Sequence, residues 1–121
     1  MAKPKFFTVE QDGDAVIFSA IGTALSTLIE DAARAEWDAL LVQIDDTGAR
    51  HAVIDLAALD YFGSIMLELL VVLWKRVQAD GGKLALCNVS VVGKEILCTA
   101  KFDTLWPIVD DREQALATVR K

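Results

Sequence analysis

The sequence predicts an α/β fold in which a mixed, mostly parallel sheet of about five short strands is covered by about four helices. Three observations carry that expectation. After an initial hairpin signal, short apolar runs alternate with longer segments of helical period. The most apolar helix is separated from an apolar strand by Gly81-Gly82, and helix-separated strands of this kind pair in parallel. No internal repeat, linker or low-complexity tract interrupts the pattern, so residues 1–121 are expected to form a single domain.

Taken in order, residues 6–9 and 15–18 are β-prone runs around Gln11-Asp12-Gly13-Asp14, and Asp-Gly is a hairpin turn signal. Residues 22–26 are mostly small or polar and read as a loop. Over 27–44 the spacing is helical: Leu28, Ala32, Ala33, Trp37, Leu40, Leu41 and Ile44 fall on one side, with Glu30, Arg34 and Asp38 on another. Asp45-Asp46-Thr47-Gly48 ends this helix, Gly48 suiting a left-handed C-terminal or turn position. Val53-Ile54-Asp55-Leu56 reads as a buried strand and residues 57–63 as a loop. A second helix follows over 64–79, and a strand over 83–87. Asn88 or Ser90 is the cap of a third helix containing Val91, Val92, Ile96 and Leu97. Residues 104–108 read as a last strand, with Pro107 implying an edge or a strand end. Asp110 or Asp111 caps a final helix running to Val119.

Composition excludes several classes. A formal charge of -6 disfavours nucleic-acid or anionic-membrane surfaces, which need clustered Lys and Arg. The longest uninterrupted apolar stretch, residues 69–74, is far too short to cross a bilayer, so no membrane insertion is expected. Met1-Ala2-Lys3-Pro4-Lys5 leads into a mixed segment rather than a signal-peptide apolar run. Cys87 and Cys98 lack metal-ligand spacing and read as reduced thiols of a cytoplasmic protein.

The second helix does not balance. Met66, Leu67, Leu70, Leu73, Trp74 and Val77 give it a face wide enough for a sheet, while Ser64, Glu68, Lys75 and Ala79 mark the opposite side. Ile65, Leu69 and Val72 are left over, spaced i, i+4, i+7 beside the polar stripe. Either a neighbouring helix of the same domain covers them, or they form an exposed contact strip for a partner or a second copy. Tyr61 and Phe62, two aromatics in the preceding loop, favour the contact strip, since aromatics are enriched at binding anchors. Ser64 opens the helix, where a serine is commonly an N-cap and where a phosphate meets the positive end of the helix dipole.

These residues carry a family resemblance. The chain resembles a STAS domain, the fold shared by bacterial anti-sigma factor antagonists and by the cytoplasmic tails of sulfate transporters. The family core is an apolar strand of the type Val-hydrophobic-Asn/Asp-Leu, a short loop, and Asp-Ser-Ser/Thr-Gly-Leu opening a helix. A Gly-Gly turn and an apolar strand often ending in Cys follow. Val53-Ile54-Asp55-Leu56 and Gly81-Gly82-Lys83-Leu84-Ala85-Leu86-Cys87 match the two ends. Without a gap between them, the serine phosphorylated in antagonists falls on Ser64. Gly63 then replaces the motif Asp, Ile65 the second Ser or Thr and Met66 the Gly, while Leu67 matches the Leu. A second register matches Asp60 and Gly63 to the motif Asp and Gly, and puts Tyr61 on the phosphoserine.

The resemblance implies a non-enzymatic regulatory module that binds a kinase-type anti-sigma factor. Its surface would comprise Tyr61, Phe62, Ser64, Ile65, Glu68, Leu69 and Val72, and phosphorylation of Ser64 would switch it. The alternative is a constitutive scaffold or accessory subunit of a sensory or lipid-transport complex, in which Ser64 is a cap alone. No cofactor or metal is called for. His51, the single histidine, has no nucleophile or carboxylate at a recognised spacing and reads as structural. The carboxylate pairs Asp45-Asp46 and Asp110-Asp111 are placed at turns and helix starts, where capping explains them. Glycine-rich phosphate loops are missing, because Gly81-Gly82 is a two-residue turn.

Overall fold

The computed structural model describes residues 7–21, 30–59 and 63–121. Its elements are β1 (Phe7–Asp12), β2 (Ala15–Ala20), α1 (Glu30–Thr47), β3 (His51–Asp55), α2 (Ser64–Ala79), β4 (Leu84–Cys87), α3 (Val91–Thr99), a 3-10 turn (Phe102–Thr104), β5 (Ile108–Val109) and α4 (Arg112–Val119). The five strands form one sheet in chain order, β1-β2-β3-β4-β5. β1 and β2 pair antiparallel, and every later pair is parallel. The predicted fold class is the observed one.

The hairpin turns on Gly13-Asp14, with Asp12 opposite Ala15. Gly13 takes φ 58, a left-handed value that glycine adopts without a Cβ penalty. Pairing carries β1 on to Asp12, three residues past the apolar run: Glu10, Gln11 and Asp12 lie on an edge strand, where polar side chains reach water. Strand alternation then sorts the sheet into two faces. Val16 and Phe18 of β2, Ala52 and Ile54 of β3, and Leu84 and Leu86 of β4 enter the larger core with α1, α2 and Leu97 of α3. Ile17, Val53, Ala85 and Cys87 enter the smaller one, closed by Ala115 and Val119 of α4. Three helices therefore cover one face and one helix the other. Trp37 of α1 sits at the centre of the larger core, its ring 4.7 Å from Phe7 and 4.8 Å from Phe18.

Two boundaries differ from the sequence reading for physical reasons. α1 runs on through Asp45-Asp46-Thr47, because Asp45 pairs with Arg76 of α2 and the helix stops only at Gly48, φ 72. The expected strand over 104–108 is replaced by the 3-10 turn and a two-residue strand. Trp106 folds inward and stacks on Phe102 at 4.7 Å, and Pro107, lacking an N–H, contributes only its carbonyl, which accepts from Leu86 N at 2.9 Å. Of the candidate caps, Ser90 and Asp111 are the ones used. Ser90 Oγ accepts from Gly93 N and Asp111 Oδ1 from Gln114 N, both at 2.9 Å. The start of the predicted first helix, residues 27–29, lies outside the described residues.

Candidate functional site

Parallel pairing sends the carboxyl ends of β2, β3 and β4 to one edge of the sheet. Connections leaving that edge open α2 and α3, so the amino ends of both helices lie there, as in other open α/β sheets whose binding sites sit outside the strand ends. Ser64 is the first helical residue of α2. The expectation that it is the N-cap is corrected: Gly63 holds that position, in extended backbone (φ -103, ψ -165), and brings no side-chain cap. The first turn of α2 contains no acidic residue either. The helix therefore opens without the side-chain acceptor that Ser90 supplies to α3 and Asp111 to α4, leaving its positive end uncompensated by either device.

The spare aliphatic strip is corrected in part. Ile65 and Leu69 are buried, 7% and 2% exposed, inside the larger core. The reason is that α2 is the middle helix of three. α1 lies along one flank, bound by the ion pairs Arg34–Glu68 and Asp45–Arg76. On the other flank Trp74 meets Trp106 with ring centroids 6.1 Å apart. A helix flanked on both sides needs apolar residues beyond its sheet-facing stripe. Val72 alone of the three is exposed, at 43%, and Glu68 beside it is also exposed. Tyr61 and Phe62 lie outside the described residues.

Two features of this edge were missed by sequence reasoning. Val91 and Val92, at the opening of α3, are exposed by 75% and 47%. The sequence reading assigns them to the third helix without distinguishing its faces, and the signal that finds them is their position directly after the Ser90 cap, at the start of the helix. The second is Asp55, the last residue of β3, whose carboxylate is buried. Its Oδ1 accepts from Ala57 N at 2.9 Å and from Asn88 Nδ2 at 3.1 Å, and its Oδ2 from Arg112 Nε at 2.7 Å. Arg112 Nη2 also donates to Ser19 Oγ at 2.7 Å. Burial pushes the Asp55 carboxyl up, but the hydrogen bonds from Arg112, Ala57 and Asn88 outweigh it and hold the group below the ordinary carboxylate value.

The remaining candidates are structural. His51 Nδ1 accepts from Lys83 N at 3.0 Å, and Nε2 lies 3.6 Å from Asp14, so the ring clips β3 to the start of β4 at the opposite edge. Cys87 is buried, and its thiol is pushed up to about 12 by burial and by the neighbouring Asp55. Among the described residues no group of three or more His, Cys, Asp or Glu is placed to hold a metal ion, and no helix is long and apolar enough to cross a membrane.

Comparison with known proteins fits this geometry. The chain is 28% identical over 96 residues to BtrV of Bordetella bronchiseptica, whose name describes it as an anti-sigma factor antagonist; the match covers 79% of this chain and 83% of that one. The structure of an anti-sigma factor antagonist (STAS) domain protein from Planctomyces limnophilus superposes with a TM-score of 0.80 at 28% identity, over 95% of this chain and 98% of that one. The solution structure of TM1081 shares the fold, with a TM-score of 0.83 at 19% identity over 100% of this chain and 94% of that one. The STAS domain family model matches residues 7–115, and the chain belongs to that family.

Proposed function

We propose that this STAS domain is an anti-sigma factor antagonist that binds a kinase-type anti-sigma factor through the edge around Ser64 and releases it when Ser64 is phosphorylated. In this reading it is a cytoplasmic binding module and not an enzyme: Ser64 accepts the phosphate and catalyses nothing. The observation that carries the proposal is that Ser64, opening α2 after a Gly63 cap without a side chain, shares one edge with the exposed pair Val91-Val92 in a domain whose relative is described as an antagonist. Tyr61, Phe62, Glu68 and Val72 complete the contact surface. Ile65 and Leu69 lie beneath it, in the larger core.

The switch is electrostatic. Phosphorylation adds about -1.5 to -2 charge at neutral pH. At a helix amino end that charge is tolerated, so the domain stays folded. A docked partner, however, would have to strip water from a dianion on the edge that also carries Val91 and Val92, a desolvation cost without compensation. Titration calorimetry against the recombinant kinase-type anti-sigma factors of the same host tests this. Wild type and Ser64→Ala are expected to bind one of them, Ser64→Asp to bind at least tenfold more weakly, and ATP to place one phosphate on Ser64 by mass spectrometry. Equal binding by all three proteins refutes the switch. That result favours the second reading, a constitutive scaffold or accessory subunit of a sensory or lipid-transport complex, which the Gly63 and Ile65 departures from the family motif support.

A further inference from the structure

Asp55 is the one charged side chain classed as buried among the described residues. Its three donors arrive from two connections and one helix start at the carboxyl edge of the sheet. Ala57 belongs to the β3–α2 connection that leads to Ser64, Asn88 to the β4–α3 connection that leads to Val91 and Val92, and Arg112 follows β5 at the opening of α4. Arg112 then extends the chain of bonds to Ser19 of β2, and lies 3.5 Å from Glu10 of β1.

A carboxylate is a costly way to gain stability here. Burying a charge pair returns little more than its desolvation costs, and apolar replacements commonly do as well. What a carboxylate offers that an apolar side chain does not is direction: several acceptor lone pairs at fixed angles, each able to hold a donor from a different segment. Oδ1 is shared by donors from the β3–α2 and β4–α3 connections, so neither can shift without disturbing the other. Asn88 is itself held at φ 55, a left-handed backbone that few residues other than glycine and asparagine adopt readily. That conformation aims its side-chain amide at Asp55.

We propose that Asp55 is a positioning residue for the docking edge, its single carboxylate fixing the connection that carries Ser64 relative to the one that carries Val91 and Val92, with Arg112 orienting the carboxylate. The proposal rests on the reading of that edge as the partner surface, and deepens it. The starts of the two connections, at Ala57 and Asn88, are then held to one carboxylate, and the partner is spared part of the ordering cost of assembling the surface.

Asn88→Gly is the first probe, because glycine accepts φ 55 without strain while the amide donor is removed; Arg112→Gln, which leaves this backbone unchanged, controls for the added freedom of glycine. Hydrogen exchange by NMR reads the outcome without any partner. Exchange is expected to accelerate about tenfold, the size of one lost hydrogen bond to a charged group, at residues 89–92 and also at 57–59 and 63–66. Amides of Val53, Ile54, Leu86 and other central strand residues are expected to stay unchanged. Arg112→Gln is expected to give the same pattern. Acceleration confined to the mutated connection overturns the inference, as does uniform acceleration through the sheet, which marks Asp55 as a stability pair and nothing more. Affinity for the anti-sigma factor supplies the second arm: with Ser64→Asp as the control that loses binding, Asn88→Gly is expected to weaken it about fivefold, and unchanged affinity there overturns the positioning role. Should Ser64→Asp bind like wild type, the docking reading fails, and the exchange pattern still decides whether Asp55 couples the two connections.

Discussion

Leu69 and Val72 sit three residues apart on α2, and they should respond to truncation in opposite ways. Leu69→Ala removes three carbons from a side chain 2% exposed in the larger core. At ~0.8 kcal/mol per buried methylene the transfer loss is about 2.4 kcal/mol. The cavity left between α1, α2 and the sheet adds to it, for a total of about 3–4 kcal/mol. Val72→Ala begins from a side chain 43% exposed. The little apolar area it gives up is offset by the better helix propensity of alanine, and the net change is expected within about 0.5 kcal/mol of zero.

Urea denaturation followed by tryptophan fluorescence measures both, since Trp37 and Trp106 are buried and report the loss of the core. With a slope of ~2 kcal/mol per molar, Leu69→Ala should lower the midpoint by nearly 2 M, about 1.7 M, while Val72→Ala barely moves it. Val72→Glu is the matching surface probe: it should leave the midpoint in place and weaken partner binding. If Leu69→Ala costs less than about 1 kcal/mol while abolishing partner capture, Leu69 is a contact residue after all, and the account of α2 as a helix flanked on both sides is wrong.

Other expectations follow from local geometry. Ser90→Ala should destabilise the domain by about 1 kcal/mol in thermal unfolding, because Ser90 Oγ is the acceptor for the Gly93 amide. For Asp55, a folded-state pKa held below the unfolded value means stability that is fully present above the unfolded pKa, about 3.9, and lost as pH falls through the folded value. The stability difference between wild type and Asp55→Asn should therefore be constant above about pH 5 and shrink below pH 4, and a pH-independent difference measured by denaturation refutes the linkage. Cys98 is exposed and should react with a thiol reagent in the native protein at pH 8, slowly, since its own thiol is also pushed up. Cys87 should react only after unfolding, so two equally fast thiols in the native state would contradict its burial.

The order of strands and helices was legible because period and punctuation agree: Asp12-Gly13, Gly48 and Gly81-Gly82 each stand where the chain turns. Boundaries were less so. Hydrogen-bond pairing to β2 draws Glu10, Gln11 and Asp12 into β1 although none is apolar, and the inward turn of Trp106 onto Phe102 removes residues that look β-prone from the last strand. The surplus of aliphatics on α2 was visible, but its meaning was not. A helical wheel records which side chains are apolar and is silent on how many neighbours the helix has, and here the answer came from α1 and from Trp106. Asp55 read as an ordinary member of a strand motif, because its partners at 57, 88 and 112 are brought together only by the parallel topology.

The two edges of the sheet also differ in how their charges are used, and that difference supports the proposed docking edge. At the amino ends of the parallel strands the charged groups are spent on one another. Arg120 holds Asp12 and Asp14, His51 faces Asp14, Arg50 donates to the Gly81 carbonyl and Lys83 to that of Lys121. A partner approaching there would have to break paired groups before making new contacts, and displaced ion pairs return little. At the carboxyl edge the internal network is gathered on Asp55, beneath the surface. Among the described residues, this edge also presents the opening of α2, where Gly63 brings no side-chain cap, and the two exposed valines that open α3. Apolar area gains from being covered, so the same arrangement that buries the charge of Asp55 leaves exposed valines on the same edge that would gain from binding. In the proposed switch, a phosphate on Ser64 would reverse that balance, because it would add a strongly hydrated charge at the opening of α2.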